Sequence, residues 1–461
     1  VRSIILIVLL AVGGYGAYQY DQSATKVGAY TPARQVQPHI QVAPKPRAKA
    51  RPTAAAPQGT PVPKRVRGKI MSILRDVENI RGLQASGAVD IRFISRDDFS
   101  RRTKMQNKQY WTVSERTAEE KTMVAFGFTS ARTNFRKLIE QDTGDYVLGM
   151  YEPDARRLFV VGDEADMDGQ AQSTMAHELT HALQDQHHNL KRFTDPAVKN
   201  SDRSLATAAL IEGDAMLSES QYQGKHKISQ AALQEAAVEA ILTSSAYSGY
   251  EQGPPLYGLT VYFPYVQGTE WVKKLHARGG WQQVDSAYKR PPESTEQILH
   301  PEKYFARERP VIVEAVNPLS ALPNGWKKLR SDTLGEYRTL ILLSQGAVQA
   351  PLLKQAATGW GGDSYAVYAP KSGEEGSALV WESVWDTEAD ASEFTVALAA
   401  LQAGLNQNVF GQGYKKSQGA LSLDGADASV RIRRSGKRVV LVVTNEVSPA
   451  DTDRVLAIAM R

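Results

Sequence analysis

Three side chains in one short run have the types and spacing for metal chemistry. Ala176-His177-Glu178-Leu179-Thr180-His181 sets two imidazoles four residues apart, with an acid directly after the first. Met175, Leu179, Ala182 and Leu183 fall at helical spacing, so the run is expected on an amphipathic helix. Residues four apart stand one turn above each other on a helix, and His177 and His181 can then offer two nitrogens to a single tetrahedral Zn²⁺. Glu178 points to the side where a water on that cation would sit, which is the place of a general base. The chain has no cysteine. Disulfides, thiolate metal sites, Cys nucleophiles and a lipid anchor on Cys are therefore excluded, and a metal must be held by His and carboxylate.

A catalytic zinc needs a third protein ligand and an open position. Glu212 is the candidate, because it falls in register with the apolar stripe Leu205, Ala208, Ala209, Ala215 and Met216 of the next expected helix. A carboxylate turned into a core is costly unless paired or metal-bound; a salt-bridged glutamate is the competing reading. Glu219, one heptad on, is a rival ligand or a structural acid. His187 and His188 read as surface residues at a helix end, where the helix dipole favours them. Asp185, one turn beyond His181, is either an acceptor supporting a ligand imidazole or a solvated helix-end acid. Oxyanion stabilisation calls for a further donor; His300, in the polar run Ser294–His300, is the first choice and Tyr265 the second.

The elements that must position these residues follow from periodicity. Helices are expected over Lys69–Leu83, Thr117–Glu140, Gln170–Gln186, Ser204–Tyr222, Ser229–Leu242 and Tyr262–Arg278, and a strand over Val89–Ile94. Tyr146–Tyr151 and Arg157–Val161 read as a β-hairpin around Glu152-Pro153-Asp154, and either strand could be an edge that pairs with an extended peptide. After residues 318–324 the pattern resets: helix Thr333–Leu343, strands Tyr365–Tyr368 and Leu379–Val384, helix Ala389–Leu405, strands Val430–Arg434 and Arg438–Thr444, and helix Pro449–Ala459. Trp360-Gly361-Gly362-Asp363 reads as a tight turn.

Ahead of all this, residues 1–22 carry an apolar run, Ile4–Val12, flanked by Tyr15, Tyr18 and Tyr20, and are expected to be a transmembrane signal-anchor. Residues 23–67 follow as a basic, disordered tether, with eight prolines in residues 31–67. The net charge of +5 lies there: residues 31–67 contribute +8 and residues 1–30 contribute +1, which leaves −4 on residues 68–461. The folded part thus offers no basic face by count, and nucleic acid is not expected as a partner. The fold class expected is α+β, a catalytic domain over 68–318 followed by a smaller α+β domain over 325–461.

The pattern H-E-x-x-H with a glutamate on a following helix resembles the gluzincin class of zinc metallopeptidases. The runs MAHELTHALQDQ, IEGDA, FPYVQG, GGW and RPPESTEQILHPEKY, with GWGGDSYAVY and VWDTEADASEF further on, are similar to a family of bacterial metallopeptidases described mostly from sequence. The resemblance covers roughly Val89 to the C-terminus. It implies a zincin-like catalytic domain and hydrolysis of peptide bonds in a peptide or protein substrate. His177, His181 and Glu212 would be ligands of zinc and Glu178 the base that takes a proton from water. One departure stands out: many gluzincins place an acid four residues after the glutamate ligand, and here that position is Met216, while Asp214 should point away from the metal. With the anchor, the resemblance implies an enzyme on the outer side of the bacterial cytoplasmic membrane, or a secreted one if the anchor is cleaved. The alternative is an envelope-associated binding or scaffolding protein with a structural or catalytically silent zinc site.

Overall fold

The computed structural model describes residues 56–110, 112–129, 148–162, 167–193, 200–228, 255–346, 350–405, 415–417, 420–425 and 427–461. The expected anchor over 1–22, most of the expected tether, and the helix expected over 229–242 lie outside these residues. Among the described residues no helix is long and apolar enough to cross a membrane. The last part of the expected tether already forms regular elements. Strand β1 (Thr60–Pro61) pairs with β2 (Asp90–Ile94), and helix α1 spans Lys64–Arg81. The expected tether therefore runs too far, by the residues after Gly59. Lys64, Arg65 and Arg67 are the exposed face of an amphipathic turn whose Val66 is buried, and their charge disguised it.

Among the described residues the fold is α+β with two sheets. The first is β1-β2-β4-β3, where β3 (Gly149–Glu152) and β4 (Arg157–Val161) form the antiparallel hairpin and β4 runs parallel to β2. Of the two strands that could serve as an edge, β4 is interior and β3 ends the sheet among the described residues. Helices α2 (Arg96–Tyr110) and α3 (Val113–Phe126) come between β2 and β3; α3 ends at Gly127, in the left-handed region at φ +87°. Helix α4 (Gly169–His188) packs with α1 and the sheet through Ile70, Ile73, Leu158, Leu179 and Leu183. Helix α5 (Ser201–His226) packs on α6 (Pro255–Lys289) through Leu205, Ala209, Phe263 and Val272. Gly279 and Gly280 break α6 near its end, and beyond the break Trp281 lies over Arg81, 4.4 Å from guanidinium carbon to ring centre.

The second sheet is antiparallel, in the order β5-β6-β7-β11-β10-β9-β8: β5 Trp326–Asp332, β6 Trp360–Pro370, β7 Ser377–Trp385, β8 Lys415–Ser417, β9 Ala420–Asp424, β10 Ala428–Ser435 and β11 Arg438–Asn445. Period-2 alternation turns Tyr365 and Val367 to one core and Ala366 and Tyr368 to the other. Trp360-Gly361-Gly362-Asp363 is a bulged strand start, not the expected turn. Glycine is needed there because a Cβ on Gly362 would stand 2.2 Å from the Val311 carbonyl oxygen. Helix α3 does not stay with the first sheet: Phe126 meets Tyr365 and Trp381 edge-on, at 5.2 and 5.4 Å between ring centres. The division expected near residue 320 is therefore crossed by packing.

The start of α5 is also tied to the second unit. Ser201 N–H and Oγ–H donate to Asp332, 2.7 and 2.5 Å, while Asp202 accepts from Thr295 Oγ1 within the first unit at 2.5 Å. Gly335, at φ +81°, packs so closely that a Cβ would sit 1.8 Å from Asp202 Oδ1. Burial, opposed by the Thr295 hydrogen bonds and reinforced by Asp363, pushes the Asp202 carboxyl up to about 7. Between the ordinary aspartate range and pH 7 the folded chain keeps a proton that the unfolded chain has released. Folded stability then falls as pH rises through that window, by roughly 1.4 kcal/mol per unit, and stays lower above it. Asp202→Asn is expected to match the native protein near pH 4 and to exceed it at pH 8, in urea unfolding with chelator present. An equal difference at both pH values would contradict this origin.

Candidate metal centre

Helix α4 begins at Asp168, whose carboxylate accepts from Ala171 N–H, 2.8 Å, and ends at Asn189 in the left-handed region. Every residue from Ser173 to Asp185 is buried, so the His-Glu-x-x-His run sits inside the protein. Helix α5 starts from Asn200, whose side chain accepts from Arg203 N–H, and brings Glu212 against α4. His177 Nε2 and His181 Nε2 are 3.1 Å apart, and Glu212 Oε2 is 3.2 Å from the first and 3.3 Å from the second. A tetrahedral ion with bonds near 2.0–2.1 Å sets its ligand atoms about 3.3 Å apart. The three atoms thus form one face of such a tetrahedron.

The charges fit a cation. Burial opposes a charged His177, yet hydrogen bonds to Glu212 and Glu219 outweigh it and push the imidazole up to about 10. Burial likewise opposes a charged Glu212, but the two histidines hold it down to about 2. Carboxylates that push both buried imidazoles up make a place where positive charge is favoured, and a metal ion would supply that charge without protons. Each imidazole is also held from behind, which turns its Nε2 to the centre. His177 Nδ1 is 3.1 Å from Glu219 Oε2, and Glu219 in turn accepts from Ser173 Oγ, 2.5 Å, and Gln223 Nε2, 3.1 Å. His181 Nδ1 is 2.9 Å from Gln184 Oε1. The position four residues after Glu212 is not needed for this: Glu219, seven residues on, reaches the imidazole instead. Asp214 does turn away, to a buried ion pair with Arg81 at 2.6 Å.

Glu178 is buried between the imidazoles and β3. Its Oε2 accepts from Tyr151 N–H at 2.6 Å, and its Oε1 is buried with no hydrogen-bond partner among the described residues. Burial pushes its carboxyl up, opposed by His181, His177 and the Tyr151 N–H. Burial, reinforced by the nearby Glu212 and Glu178 charges, pushes the phenol of Tyr265 on α6 up, and its ring lies near-parallel to His177, 6.4 Å between ring centres. His300 is not brought here. Its Nε2 is 2.8 Å from Glu336 and its Nδ1 3.6 Å from Glu302, so the first choice of oxyanion donor is held by acids elsewhere, whereas the second, Tyr265, lies beside His177. His300 caps the short helix Pro301–Ala306, where a neighbouring acid from the second unit claims its ring.

Asp185 matches neither expected role. It is buried, and accepts from the Tyr151 hydroxyl and from Leu190 N–H, each 2.9 Å. His187 is exposed as expected, whereas His188 is largely covered, stacked on Tyr288 at 4.0 Å. A second acidic group, Glu296, Glu308 and Asp386, could offer oxygens to a metal. The Lys303 ammonium already bridges all three, at 2.6, 2.8 and 2.6 Å, so it is an ion-pair cluster and not a metal centre. Nothing in the residue pattern marks Tyr151 for the site, since its contribution is a backbone N–H.

No curated protein and no solved structure matches the chain. Residues 323–455 match a family described as a domain of unknown function (DUF8575), a span that takes in the second sheet and stops short of His177, His181 and Glu212.

Proposed function

We propose that the chain is a zinc metallopeptidase of the gluzincin type, with a zincin-like fold around the first sheet, tethered at the bacterial envelope by its N-terminal segment. The observation that carries the reading is the triangle of His177 Nε2, His181 Nε2 and Glu212 Oε2 beside a buried carboxylate with one oxygen unpartnered. A structural metal site has no use for such an oxygen; hydrolysis does.

When bound, zinc supplies Lewis acidity to a carbonyl and lowers the pKa of water towards about 7. Glu178 Oε1 takes the proton of the attacking water and passes it to the leaving amine. Glu219 and Gln184 fix the imidazole tautomers, each accepting an Nδ1–H so that Nε2 is the free lone pair. Tyr265, close to Glu212 and His177, is the hydroxyl proposed to donate to a developing oxyanion.

The test is metal analysis joined to a hydrolysis assay on a mixed peptide pool. About one zinc per chain is expected, with cleavage abolished by chelator and restored by zinc. Zinc without cleavage of any peptide would instead favour the envelope-binding protein with a silent site.

A further inference from the structure

The base is gripped by a strand, and the strand is tied back to the base's own helix. Leu148 C=O accepts from Val161 N–H at 2.9 Å. Residues 148, 150 and 152 therefore turn their backbone groups towards β4, and residues 149 and 151 turn theirs to the other side. On that side Tyr151 N–H meets Glu178 Oε2 at 2.6 Å. The approach is close: a Cβ on Gly149 would stand 2.2 Å from Met175 Cε and 3.4 Å from Glu178 Cγ. Tyr151 does not stop at the base. Its hydroxyl runs on to Asp185 Oδ2, 2.9 Å, and Asp185 lies seven residues after Glu178, about 10 Å along α4. One residue thus touches the same helix twice, through its backbone at the base and through its ring tip two turns later.

Neither end has much play. Asp185 also accepts from Leu190 N–H, and Arg156 from the hairpin turn stands 3.9 Å from its Oδ2. Glu152, next along β3, is held by Arg102 at 2.7 and 2.5 Å and by Gln106 at 2.9 Å. Resting on the peptidase reading, we infer that Tyr151 and Asp185 are positioning residues for the general base: anchored on Asp185, Tyr151 holds its N–H on Glu178 Oε2 and so leaves Oε1 as the oxygen that handles the proton. Asp185 then acts on catalysis from two turns away, without touching substrate or metal. A misplacement of about 1 Å at a reacting group costs up to roughly a hundredfold in rate, which sets the scale of the effect.

The experiment compares Tyr151→Phe, Asp185→Ala and Asp185→Asn in the full chain, with the Tyr151→Phe/Asp185→Ala double variant. Tyr151→Phe keeps the backbone N–H and the ring, and loses only the anchor. It is expected to lower kcat by about 10- to 100-fold with KM and zinc content unchanged. Asp185→Ala is expected to do the same, Asp185→Asn to recover most of the rate because its amide oxygen still accepts the phenol, and the double variant to equal either single one. Hydrogen exchange on the peptide covering 149–152 supplies a readout independent of turnover: protection falls in Tyr151→Phe and Asp185→Ala and is kept in Asp185→Asn. Unchanged kcat and protection in Tyr151→Phe, or additive losses in the double variant, would overturn the clamp while the peptidase stands. An inactive native protein whose strand still loses protection in Tyr151→Phe would overturn the peptidase reading and keep the clamp as a structural tie.

Discussion

Glu178→Gln is expected to retain its zinc and its KM and to lose about 10²- to 10⁴-fold in kcat, the usual worth of a general base. The substitution keeps the shape of the side chain, and the oxygen that accepts from Tyr151 N–H at 2.6 Å can be kept by the amide. What is lost is Oε1, buried and without a partner, which becomes an NH₂ that cannot take a proton. Metal content should not follow activity, because the three candidate ligand atoms belong to His177, His181 and Glu212. Parallel metal analysis and steady-state kinetics check both halves. A variant that keeps native turnover would show that Glu178 is not the base, whatever the metal does.

The second large effect concerns two glycines that touch no candidate ligand atom. A Cβ on Gly213 would lie 2.3 Å from the Gly268 carbonyl carbon and oxygen, and one on Gly268 would lie 2.2 Å from Ala209 O. Real Cβ atoms do not approach backbone so closely, so Gly213→Ala or Gly268→Ala must push α5 and α6 apart along the seam formed by Leu205, Ala209, Phe263 and Val272. Overpacking of this kind costs about 3 kcal/mol, and more where backbone meets backbone. Gly213 is next to Glu212, and Gly268 is one turn from Tyr265, so zinc affinity is expected to fall together with stability. Gly224, on the same helix α5, is the control: a Cβ there meets nothing within 4 Å. Gly224→Ala should gain up to about 1 kcal/mol from helix propensity. Denaturant unfolding of the three variants, with zinc titration of each, reads both signs. Equal effects at Gly213 and Gly224 would mean that the seam is not the constraint.

Much of the candidate site was legible in the sequence because its information is local. Two histidines four apart, an acid between them and an apolar stripe at helical period define a helix and a face, and the structure places that helix at Gly169–His188. The same holds for the β3–β4 hairpin, whose two alternating strands are separated by turn residues, and for the final helix, expected and found over Pro449–Ala459. Short-range periodicity failed where charge masked it. Strand β5 carries Lys327, Lys328 and Arg330, and the first turn of α1 carries Lys64, Arg65 and Arg67; neither was expected as an element.

Tertiary structure alone decided which distant groups face one another. Glu219 and Glu212 lie on one stripe of α5, and only the packing of α5 on α4 puts the first behind His177 and the second before it. His300 and Tyr265 were both plausible donors by type, and the fold hands His300 to Glu336 and keeps Tyr265 beside Glu212. Tyr151 bears on Glu178 through a backbone N–H, a group every residue but proline carries, so no residue type could announce it. The glycines of the IEGDA and FPYVQG runs can be read in the sequence as runs, but their meeting across two helices cannot. The reason is physical: a helix fixes neighbours three and four residues away by its own geometry, whereas contacts between elements depend on how whole faces pack, which no single stretch contains.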